Sequence, residues 1–589
     1  NFAKGKRMGV FPAVAVGWVA SEESFLRNSE VLTWFKIRAS VGQVGNDQIP
    51  STRFIYLATI NSGANGYGNL GVNFDQGAGG IGEGRMANQD VTWEVSTKYN
   101  VGIETGLFNE LKINADFFYE RRENIFLAPQ FSEISGLPKD YTNYANMGLM
   151  ENRGFEISAE YVKFLDNGKT EREVAAESEQ MLKDAGYQQF DPKKTYAPGD
   201  KVYFSQLGKA IVASTIGTRS FEDGFHLVIA HTDSPRLDLR PNPLYESDHL
   251  SYFKTHYYGG IRKYQWGTMP LAIHGVFSRA DGTTVSVNVG EDENDPVFCI
   301  TDLLPHLGAE QNDRKLSDGI KAEELNVLIG SDAVEEEDVK EAVKLNTLIL
   351  LHEKYGITEK DFARAEIEIV PAYKSRDVGF DRSMIGAYGH DDRVDAYPAL
   401  MAEIATKNPA FTTVCVLTDK EEIGSDGVTG MQSMYVFHFM QELCRTAGQD
   451  DIIAFRNSVC LSADVTAAYD PSWASAFEPM NGTYAGRGIA LFKYTGSRGK
   501  SAANDASAEL VGYVTRMMDD DDVAWQIGEL GRLDLGGGGT IAKYVANRGI
   551  PVIDIGVPVL SMHSPFEVIH KTDLYMAYRA FVLFNQAAE

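Results

Sequence analysis

The sequence predicts an α/β fold in which helices flank a mixed β-sheet, with an inserted β-rich domain and a preceding all-β segment. Three observations predict this architecture. Apolar runs in the second half of the chain consist largely of Val, Ile, Leu and Cys, which is typical of strands buried on both faces. From Phe164 onward, strand-like and helix-like patterns alternate. Before Phe164, apolar and polar residues alternate strictly instead.

Four apolar runs end in side chains that are suited to binding a divalent metal ion. The runs and the residues that follow them are Phe225–Ala230 before His231 and Asp233, Thr412–Thr418 before Glu421 and Glu422, Ser458–Ala463 before Asp464, and Pro551–Met562 before His563. Open α/β sheets bind ligands at the carboxyl ends of their strands, so we expect these side chains to meet at one sheet edge. Imidazole and carboxylate groups are ligands for divalent metals. The pattern therefore predicts a metal-dependent hydrolase.

Composition limits the domain count, the partners and the compartment. A chain of 589 residues predicts about two to four domains. The formal net charge of −27 argues against nucleic acid and against adhesion to anionic membranes. Cys415 and Cys460 lie inside apolar runs, which favours a reducing compartment and hence the cytoplasm. No apolar run reaches about 18 residues, so no transmembrane helix is expected. The start at Asn1, without methionine or a signal-like segment, resembles that of a fragment.

The first part of the chain is predicted to be antiparallel β-structure. Apolar and polar residues alternate along Phe35–Val41, Val95–Ile103 and Phe155–Tyr161, which predicts strands with one buried face. Gly- and Asn-rich stretches at Asn61–Gly68 and Gln76–Gly84 are expected to be loops between such strands. The pattern fits a large barrel, and a soluble β-sandwich is the alternative that periodicity leaves open.

The pattern changes near residue 163. Thr170 and Glu173 form a capping box that begins a predicted helix, and Gly186 ends it. From about Pro243 to Asp381, short β-like stretches and an acidic stretch interrupt the alternation of strands and helices, which predicts an inserted domain. The predicted domains are 1–162 for the barrel-like segment, 163–242 and 385–589 for the two parts of the main domain, and 243–384 for the insertion.

Five motifs carry a resemblance to a known enzyme family. They are HTDSP at His231–Pro235, HDDR at His390–Arg393, DKEEIGS at Asp419–Ser425, SADVTAAYDP at Ser462–Pro471 and GVPVLSMHSP at Gly556–Pro565. In this order they resemble the bacterial subgroup of the aspartyl aminopeptidase family, metallopeptidase family eighteen. The resemblance covers about residues 164–589. It implies a zinc-peptidase-like α/β fold whose inserted domain serves as a dimerisation or lid domain.

The resemblance also implies a dinuclear centre and a role for each residue. It would place one zinc ion on His231, Asp391 and Asp464. It would place a second on Asp391 as the bridge, Glu422 and His563, with Co²⁺ or Mn²⁺ as other possible ions. In the catalytic set, Asp233 would hydrogen-bond the imidazole of His231, and Glu421 would serve as general base and then general acid.

The resemblance and the sequence also suggest two residues for the substrate site. His256 lies in the inserted domain, and in relatives a residue of that domain reaches the active site of a neighbouring subunit. Lys500 is a candidate for fixing a peptide carboxylate or an acidic side chain, with a purely exposed position as the alternative. Val465–Ala467 stands where many members carry histidine, so the preferred N-terminal residue, acidic or neutral, stays open. Relatives form closed tetrahedral dodecamers, which implies a homo-oligomer.

A second resemblance covers about residues 7–162. The phrases FPAVAVGW, FKIRASVGQVGND and NMGLMENRGFEI, together with Trp93–Glu94, resemble the SusC/RagA-type TonB-linked outer-membrane transporters. A slice of such a barrel leaves open strand edges, which neither lipid nor water tolerates well. We therefore interpret the join as an artefactual fusion without autonomous function. Outer-membrane location would follow only if the segment is genuine.

The predicted function is a dinuclear metal-dependent aminopeptidase that removes N-terminal residues from peptides. One rival is a fragment of a TonB-dependent transporter, defined by the first segment. The other is a related dinuclear hydrolase, either a deacetylase or a carboxypeptidase.

Overall fold

A computed structural model describes residues 2–588 except 24, 28, 30–31, 47–55, 71–75, 84–86, 108–110, 128–144, 157–158 and 337. The chain divides into two compact units, Asn1–Glu160 and Tyr161–Glu589. In the described part of the chain, no helix combines the length and the apolar character needed to cross a bilayer.

The first unit is built from antiparallel strands. The strands are β1 Ala13–Val19, β2 Leu32–Asn46, β3 Ile60–Leu70, β4 Gln76–Glu83, β5 Glu94–Leu107, β6 Leu111–Leu127 and β7 Ala145–Glu156. Five of them form one sheet in the order β1-β2-β5-β6-β7, and β3 pairs with β4. The alternating segments Phe35–Val41 and Val95–Ile103 lie within β2 and β5, as predicted.

Two expectations for this unit are wrong. The Gly- and Asn-rich stretches Asn61–Gly68 and Gln76–Gly84 were expected to be loops, but they form the hairpin of β3 and β4 as far as Glu83. Gly84 lies outside the described residues. Backbone pairing between the two stretches outweighs their low strand propensity. The strand predicted at Phe155–Tyr161 ends at Glu156, because Ala159 already begins a helix.

The remaining strands and the helices belong to the second unit, except for the first two residues of α1. The helices are α1 Ala159–Asn167, α2 Glu171–Asp184, α3 Ala309–Asn312, α4 Ala342–Tyr355, α5 His390–Ala405, α6 Tyr435–Ala447, α7 Asp451–Asn457, α8 Ala508–Asp520, α9 Ala542–Ala546 and α10 Lys571–Gln586. The strands are β8 Gln188–Gln189, β9 Lys201–Gln206, β10 Ala210–Thr215, β11 Phe225–His231, β12 Arg236–Ser247, β13 Leu250–Tyr258, β14 Leu271–Ser278, β15 Thr284–Val289, β16 Cys299–Ile300, β17 Asn326–Gly330, β18 Ala365–Pro371, β19 Arg376–Val378, β20 Met384–Ala387, β21 Thr412–Thr418, β22 Val459–Ala463, β23 Thr466–Ala467, β24 Ile489–Phe492, β25 Gly496–Ser497, β26 Trp525–Ile527, β27 Gly537–Gly538, β28 Val552–Gly556, β29 Pro558–Leu560 and β30 Glu567–His570.

The capping box begins α2 as predicted. The Thr170 side chain accepts the backbone N–H of Glu173, and the Glu173 carboxylate accepts the backbone N–H of Thr170. Gly186, with φ of +87°, follows the end of the helix. The residue order thus satisfies the free N–H groups at one end and supplies a left-handed residue at the other.

A nine-stranded mixed sheet forms the centre of the second unit, in the order β26-β24-β28-β22-β11-β21-β10-β9-β8. The four strands β21, β11, β22 and β28 are parallel to one another. Each face of the sheet carries its own apolar core. Val228 and Cys415 pack with residues of α5 and α10 on one face, while Leu227 and Cys460 pack with residues of α6 on the other. The predicted mixed sheet, flanked by helices and buried on both faces, is confirmed.

A separate seven-stranded sheet follows the order β15-β14-β18-β12-β13-β17-β16 and is antiparallel. It begins at Arg236 and ends at Pro371. It encloses its own apolar core, which includes Leu237, Trp266 and Ile369. In the sequence, this second sheet is therefore inserted between strands β11 and β21 of the central sheet.

The run Pro551–Met562 is not one strand, which corrects the sequence interpretation. It forms β28 in the nine-stranded sheet and β29 in a smaller sheet with the order β19-β20-β30-β29-β23. Between them, the backbone N–H of Val557 donates to the buried Asp395 carboxylate at 3.0 Å. This side-chain acceptor takes the place of a ladder partner, so the chain leaves the large sheet before it reaches His563.

Candidate metal centre

The carboxyl ends of three adjacent parallel strands supply the first ligands of the centre. His231 ends β11 and pairs in register with Thr418, the last residue of β21. On the other side, β22 ends at Ala463, directly before Asp464. Because the strands are parallel and adjacent, their carboxyl ends lie at one edge of the sheet, as the sequence predicts.

Asp391 lies between two histidines. It lies in the first turn of α5, which follows Gly389, and its peptide bond to Asp392 is cis. Its Oδ1 lies 3.2 Å from Nε2 of His231, and its Oδ2 lies 3.2 Å from Nε2 of His563. The two oxygens of one carboxylate thus face two different imidazoles, which is the arrangement required of a bridging ligand.

The remaining predicted ligands flank this carboxylate on either side. Oδ1 of Asp464 lies 3.8 Å from Nε2 of His231, and Oε1 of Glu422 lies 3.5 Å from Nε2 of His563. Glu421 offers an oxygen within 4.8 Å of ligand atoms of His231 and Asp464. The structure therefore brings all five predicted ligands and Glu421 together.

Asp233 holds the turn that carries the two glutamates. Its carboxylate is fully buried and accepts the backbone N–H groups of Glu421 and Glu422 at 3.1 and 3.2 Å. Nδ1 of His231 donates to the backbone carbonyl of Asp233 at 3.0 Å, while the carboxylate is farther away, at 3.4 Å. Asp233 thus orients His231 mainly through its backbone, and it orients the glutamates through its side chain.

The centre holds an excess of buried negative charge. Burial and the Asp464 charge raise the pKa of Glu421 to about 8. Burial and the Asp391 charge also raise the pKa of Glu422 above its usual range. Burial alone would lower the pKa of His563, but the charges of Glu422 and Asp391 outweigh it and raise that pKa to about 11. Carboxylates crowded away from water hold protons unless cations compensate them.

Two ligand oxygens have no hydrogen-bond partner among the described residues. Oδ1 of Asp391 and Oε1 of Glu422 are buried, and each accepts no hydrogen bond. Buried carboxylate oxygens are normally satisfied by donors or by metal ions. Together with two imidazoles and the surplus of negative charge, these orphaned oxygens fit zinc, which takes nitrogen and oxygen ligands in protein sites.

Sequence reasoning missed two groups that support the ligands. Glu567 accepts the backbone N–H of His563 at 2.7 Å and that of Asp391 at 3.0 Å, one on each oxygen. The carbonyl of Gly260, just after β13, accepts Nδ1–H of His563 at 3.0 Å and so leaves Nε2 free to ligate. The short spacing from His563 to Glu567 is the only sequence signal for the first contact. Nothing in the sequence signals the second.

The two predicted substrate residues make their contacts elsewhere. His256 is exposed, and its Nδ1 donates to the backbone carbonyl of Tyr257 at 2.7 Å. Lys500 is exposed, bonds the Asp505 carboxylate at 2.9 Å and lies 3.8 Å from the centre of the Tyr494 ring. Neither residue contacts a metal ligand through these bonds, so their assignment stays a prediction.

Comparisons with known proteins identify the family to which this part of the chain is similar. The family model described as "Aminopeptidase I zinc metalloprotease (M18)" matches residues 164–585. A Clostridium acetobutylicum protein named "Probable M18 family aminopeptidase 1" is 46% identical over 460 residues, which cover 76% of this chain and 98% of the relative. The crystal structure of an M18 aminopeptidase from Thermotoga maritima superposes with a TM-score of 0.70 at 44% identity, covering 73% of this chain and 96% of the other.

Two further matches concern a relative that forms an assembly and the first segment of this chain. A structure titled as the mApe1 dodecamer of S. cerevisiae shares the fold at 19% identity, with a TM-score of 0.59 and coverage of 72% of this chain and 95% of that one. A model of the TonB-dependent receptor-like β-barrel matches residues 1–223, in line with the second resemblance. The match to the peptidase spans most of the chain and includes every residue of the metal centre. The chain accordingly belongs to the Aminopeptidase I zinc metalloprotease family, M18.

Proposed function

We propose that this metal-dependent aminopeptidase works with two zinc ions per chain and removes single residues from the N-termini of peptides. One observation supports the two-ion centre above all others. Asp391 presents one oxygen to His231 and the other to His563, each at 3.2 Å. A carboxylate shared in this way suits a pair of cations better than a single cation.

The proposed ligand sets follow from the contacts of this bridge. His231, Asp391 and Asp464 would hold one zinc ion, and Asp391, Glu422 and His563 would hold the other, with Co²⁺ or Mn²⁺ as alternative ions. When bound, the ions supply Lewis acidity toward the scissile carbonyl and lower the pKa of water.

Glu421 is the proposed proton carrier. Its carboxylate lies beside His231 and Asp464. Burial and neighbouring carboxylates raise its pKa, and bound cations would lower that pKa again, so that Glu421 is ionised and can accept a proton near neutral pH. It would take a proton from the attacking water and return it to the leaving amine. Asp233 supports both glutamates, because its carboxylate holds their backbone N–H groups.

The proposal extends to the substrate, the assembly and the location. The exposed ring of His256 would face a neighbouring subunit. Lys500 would exchange its bond with Asp505 for an acidic or carboxylate group of a peptide. We propose a homo-oligomer, in line with the yeast relative titled as a dodecamer. Cys415 and Cys460 are free and buried, which favours the cytoplasm for the peptidase.

The proposed domain division assigns 243–384 to an insertion that mediates assembly.

The transporter alternative is not favoured, because the peptidase family model covers residues 164–585.

Peptides with free and blocked N-termini test the function directly. With zinc, cobalt or manganese present, the chain should release the first residue of an unblocked peptide and leave its N-acetylated counterpart intact. A peptide with an amidated C-terminus is the matched control and should be cut normally. Cleavage of the acetylated peptide, or release of residues from the C-terminus, would favour a related dinuclear hydrolase instead.

Metal binding should release protons and should therefore strengthen as the pH rises. At pH 7 the metal-free centre holds protons on His563 and Glu421, whose pKa values are raised to about 11 and about 8. Ligand imidazole must be neutral to bind zinc, so these protons leave as the ions enter. Titration calorimetry in two buffers of different ionisation enthalpy measures the number released. Release of almost no protons at pH 7, together with a zinc affinity that does not change between pH 6 and pH 8, would contradict the expected proton release.

A further inference from the structure

A tyrosine of the inserted sheet reaches the metal centre. Tyr258 is the last residue of β13, and 9% of it is exposed. Its hydroxyl lies 2.8 Å from Oδ2 of Asp233. Because that carboxylate already accepts two backbone N–H groups, the tyrosine must be the donor in this bond.

Asp233 connects this hydroxyl to Glu421 and Glu422. Its Oδ2 accepts both the Tyr258 hydroxyl and the Glu422 N–H, while its Oδ1 accepts the Glu421 N–H. The Glu421–Glu422 turn begins at Lys420, which has a left-handed backbone with φ of +70°, and it closes where the Gly424 N–H donates to the Glu421 carbonyl at 2.8 Å. The Asp233 carboxylate holds the backbone N–H groups of Glu421 and Glu422 themselves. A carboxylate fixed by a third donor can therefore hold the turn in one orientation.

The ring of Tyr258 stacks on an arginine side chain. Arg236 stands opposite Tyr258 in the β12–β13 register, and its guanidinium lies 4.0 Å from the ring centre. Two acidic groups hold the guanidinium in turn, with the buried Glu368 at 3.0 Å and the half-buried Asp238 at 2.9 Å from Nε. An arginine locked by carboxylates and stacked on an aromatic face leaves the ring little freedom to rotate.

The chain beyond the tyrosine also fits against the ligands. Gly259 has φ of +70°, and a Cβ placed on it would lie 3.3 Å from Cβ of Glu422. The next residue, Gly260, accepts Nδ1–H of His563. The end of β13 thus lies against Glu422 and His563, two proposed ligands of the same ion, although it belongs to a sheet with its own core.

We propose that Tyr258 is a positioning residue for the reaction: its hydroxyl fixes the Asp233 carboxylate, which in turn sets where Glu421 and Glu422 lie. This inference rests on the proposed function, since it assigns Glu421 to proton transfer and Glu422 to metal binding. It makes the geometry of the active site depend on the inserted sheet of the same chain.

Tyr258→Phe tests the hydroxyl without removing the ring. Loss of a hydrogen bond to a charged group should lower kcat by about 10- to 100-fold, while KM changes by less than about threefold. Tyr187→Phe is the matched control, because the Tyr187 hydroxyl also donates to a buried carboxylate, that of Glu403 at 3.1 Å, away from the predicted ligands. The control should lose thermal stability while kcat stays unchanged.

The visible absorption of the Co²⁺-loaded chain provides a second readout that does not depend on activity. Movement of Glu422 should shift the cobalt bands in Tyr258→Phe and leave them unchanged in Tyr187→Phe. If the wild-type chain cleaves no peptide, the proposed function fails, yet a shifted band would still support the positioning role. Unchanged bands together with wild-type kcat would overturn it.

A double variant tests the route through Asp233. In an Asp233→Asn background, Tyr258→Phe should add less than about a twofold further loss, because both changes act on one network. A full additional loss would show that the tyrosine acts by another route and would overturn the proposal. If Tyr258→Phe fails to fold, Arg236→Lys is the substitute, because it loosens the packing against the ring. That variant should lower kcat and should shift the cobalt bands relative to the wild-type chain. Wild-type values in that variant would count against the proposal.

Discussion

Replacing Glu421 by glutamine is expected to lower kcat by about 10²- to 10⁴-fold, the usual contribution of a general base. Glutamine keeps the size of the side chain but cannot take up a proton. The proposed ligand sets do not include Glu421, so zinc content should stay at about two ions per chain. Steady-state kinetics together with metal analysis of the dialysed protein measure both quantities.

Glu403→Gln is the matched control for this variant. Glu403 is fully buried, and burial raises the pKa of its carboxyl. It bonds Thr215 and Tyr187 and takes no part in the proposed reaction, so kcat should stay at the wild-type value. Retained activity in Glu421→Gln, or equal losses in both variants, would contradict the assignment of the base.

Asp391→Asn is expected to have the largest effect on metal content. The amide replaces one carboxylate oxygen by a donor group, which cannot ligate a cation and would face an imidazole 3.2 Å away. At least one ion should be lost, and kcat/KM should fall by about 10³-fold or more because the remaining ion lacks its partner. Metal analysis and kinetics at saturating zinc distinguish a weaker affinity for zinc from a lower catalytic rate of the zinc-loaded variant.

Asp573→Asn controls for the loss of a buried aspartate. Asp573 is fully buried and accepts the backbone N–H groups of Gly486 and Gly488 at 2.6 and 2.7 Å. That variant should lose stability but keep its zinc. Full zinc content in Asp391→Asn would mean that Asp391 does not bridge.

Much of the site could be predicted because its signals are local. Strands buried on both faces require unbroken apolar runs, and parallel strands bring their carboxyl ends to one edge. The ends of β11, β21 and β22 therefore placed His231, the glutamates and Asp464 correctly. The capping box of Thr170 and Glu173 was predictable for the same reason, since the donors and acceptors lie within one helical turn.

The rest depends on contacts between residues far apart in the sequence. The break between β28 and β29 is made by Asp395, more than 150 positions before Val557, and the apolar run shows no sign of it. Tyr258 and Gly260 reach the centre from the inserted sheet, where strand patterns alone do not reveal which residue points toward which ligand. The hairpin of β3 and β4 was missed because glycine and asparagine usually mark loops, whereas pairing between the two stretches decided their structure.

Anomalous diffraction at the zinc edge, from crystals grown with zinc, shows whether two ions share Asp391. We expect two peaks about 3.5–4 Å apart, as in other two-metal centres. Both peaks should contact Asp391, with His231 and Asp464 at one and His563 and Glu422 at the other. A single peak, or two peaks that do not share Asp391, would contradict this expectation.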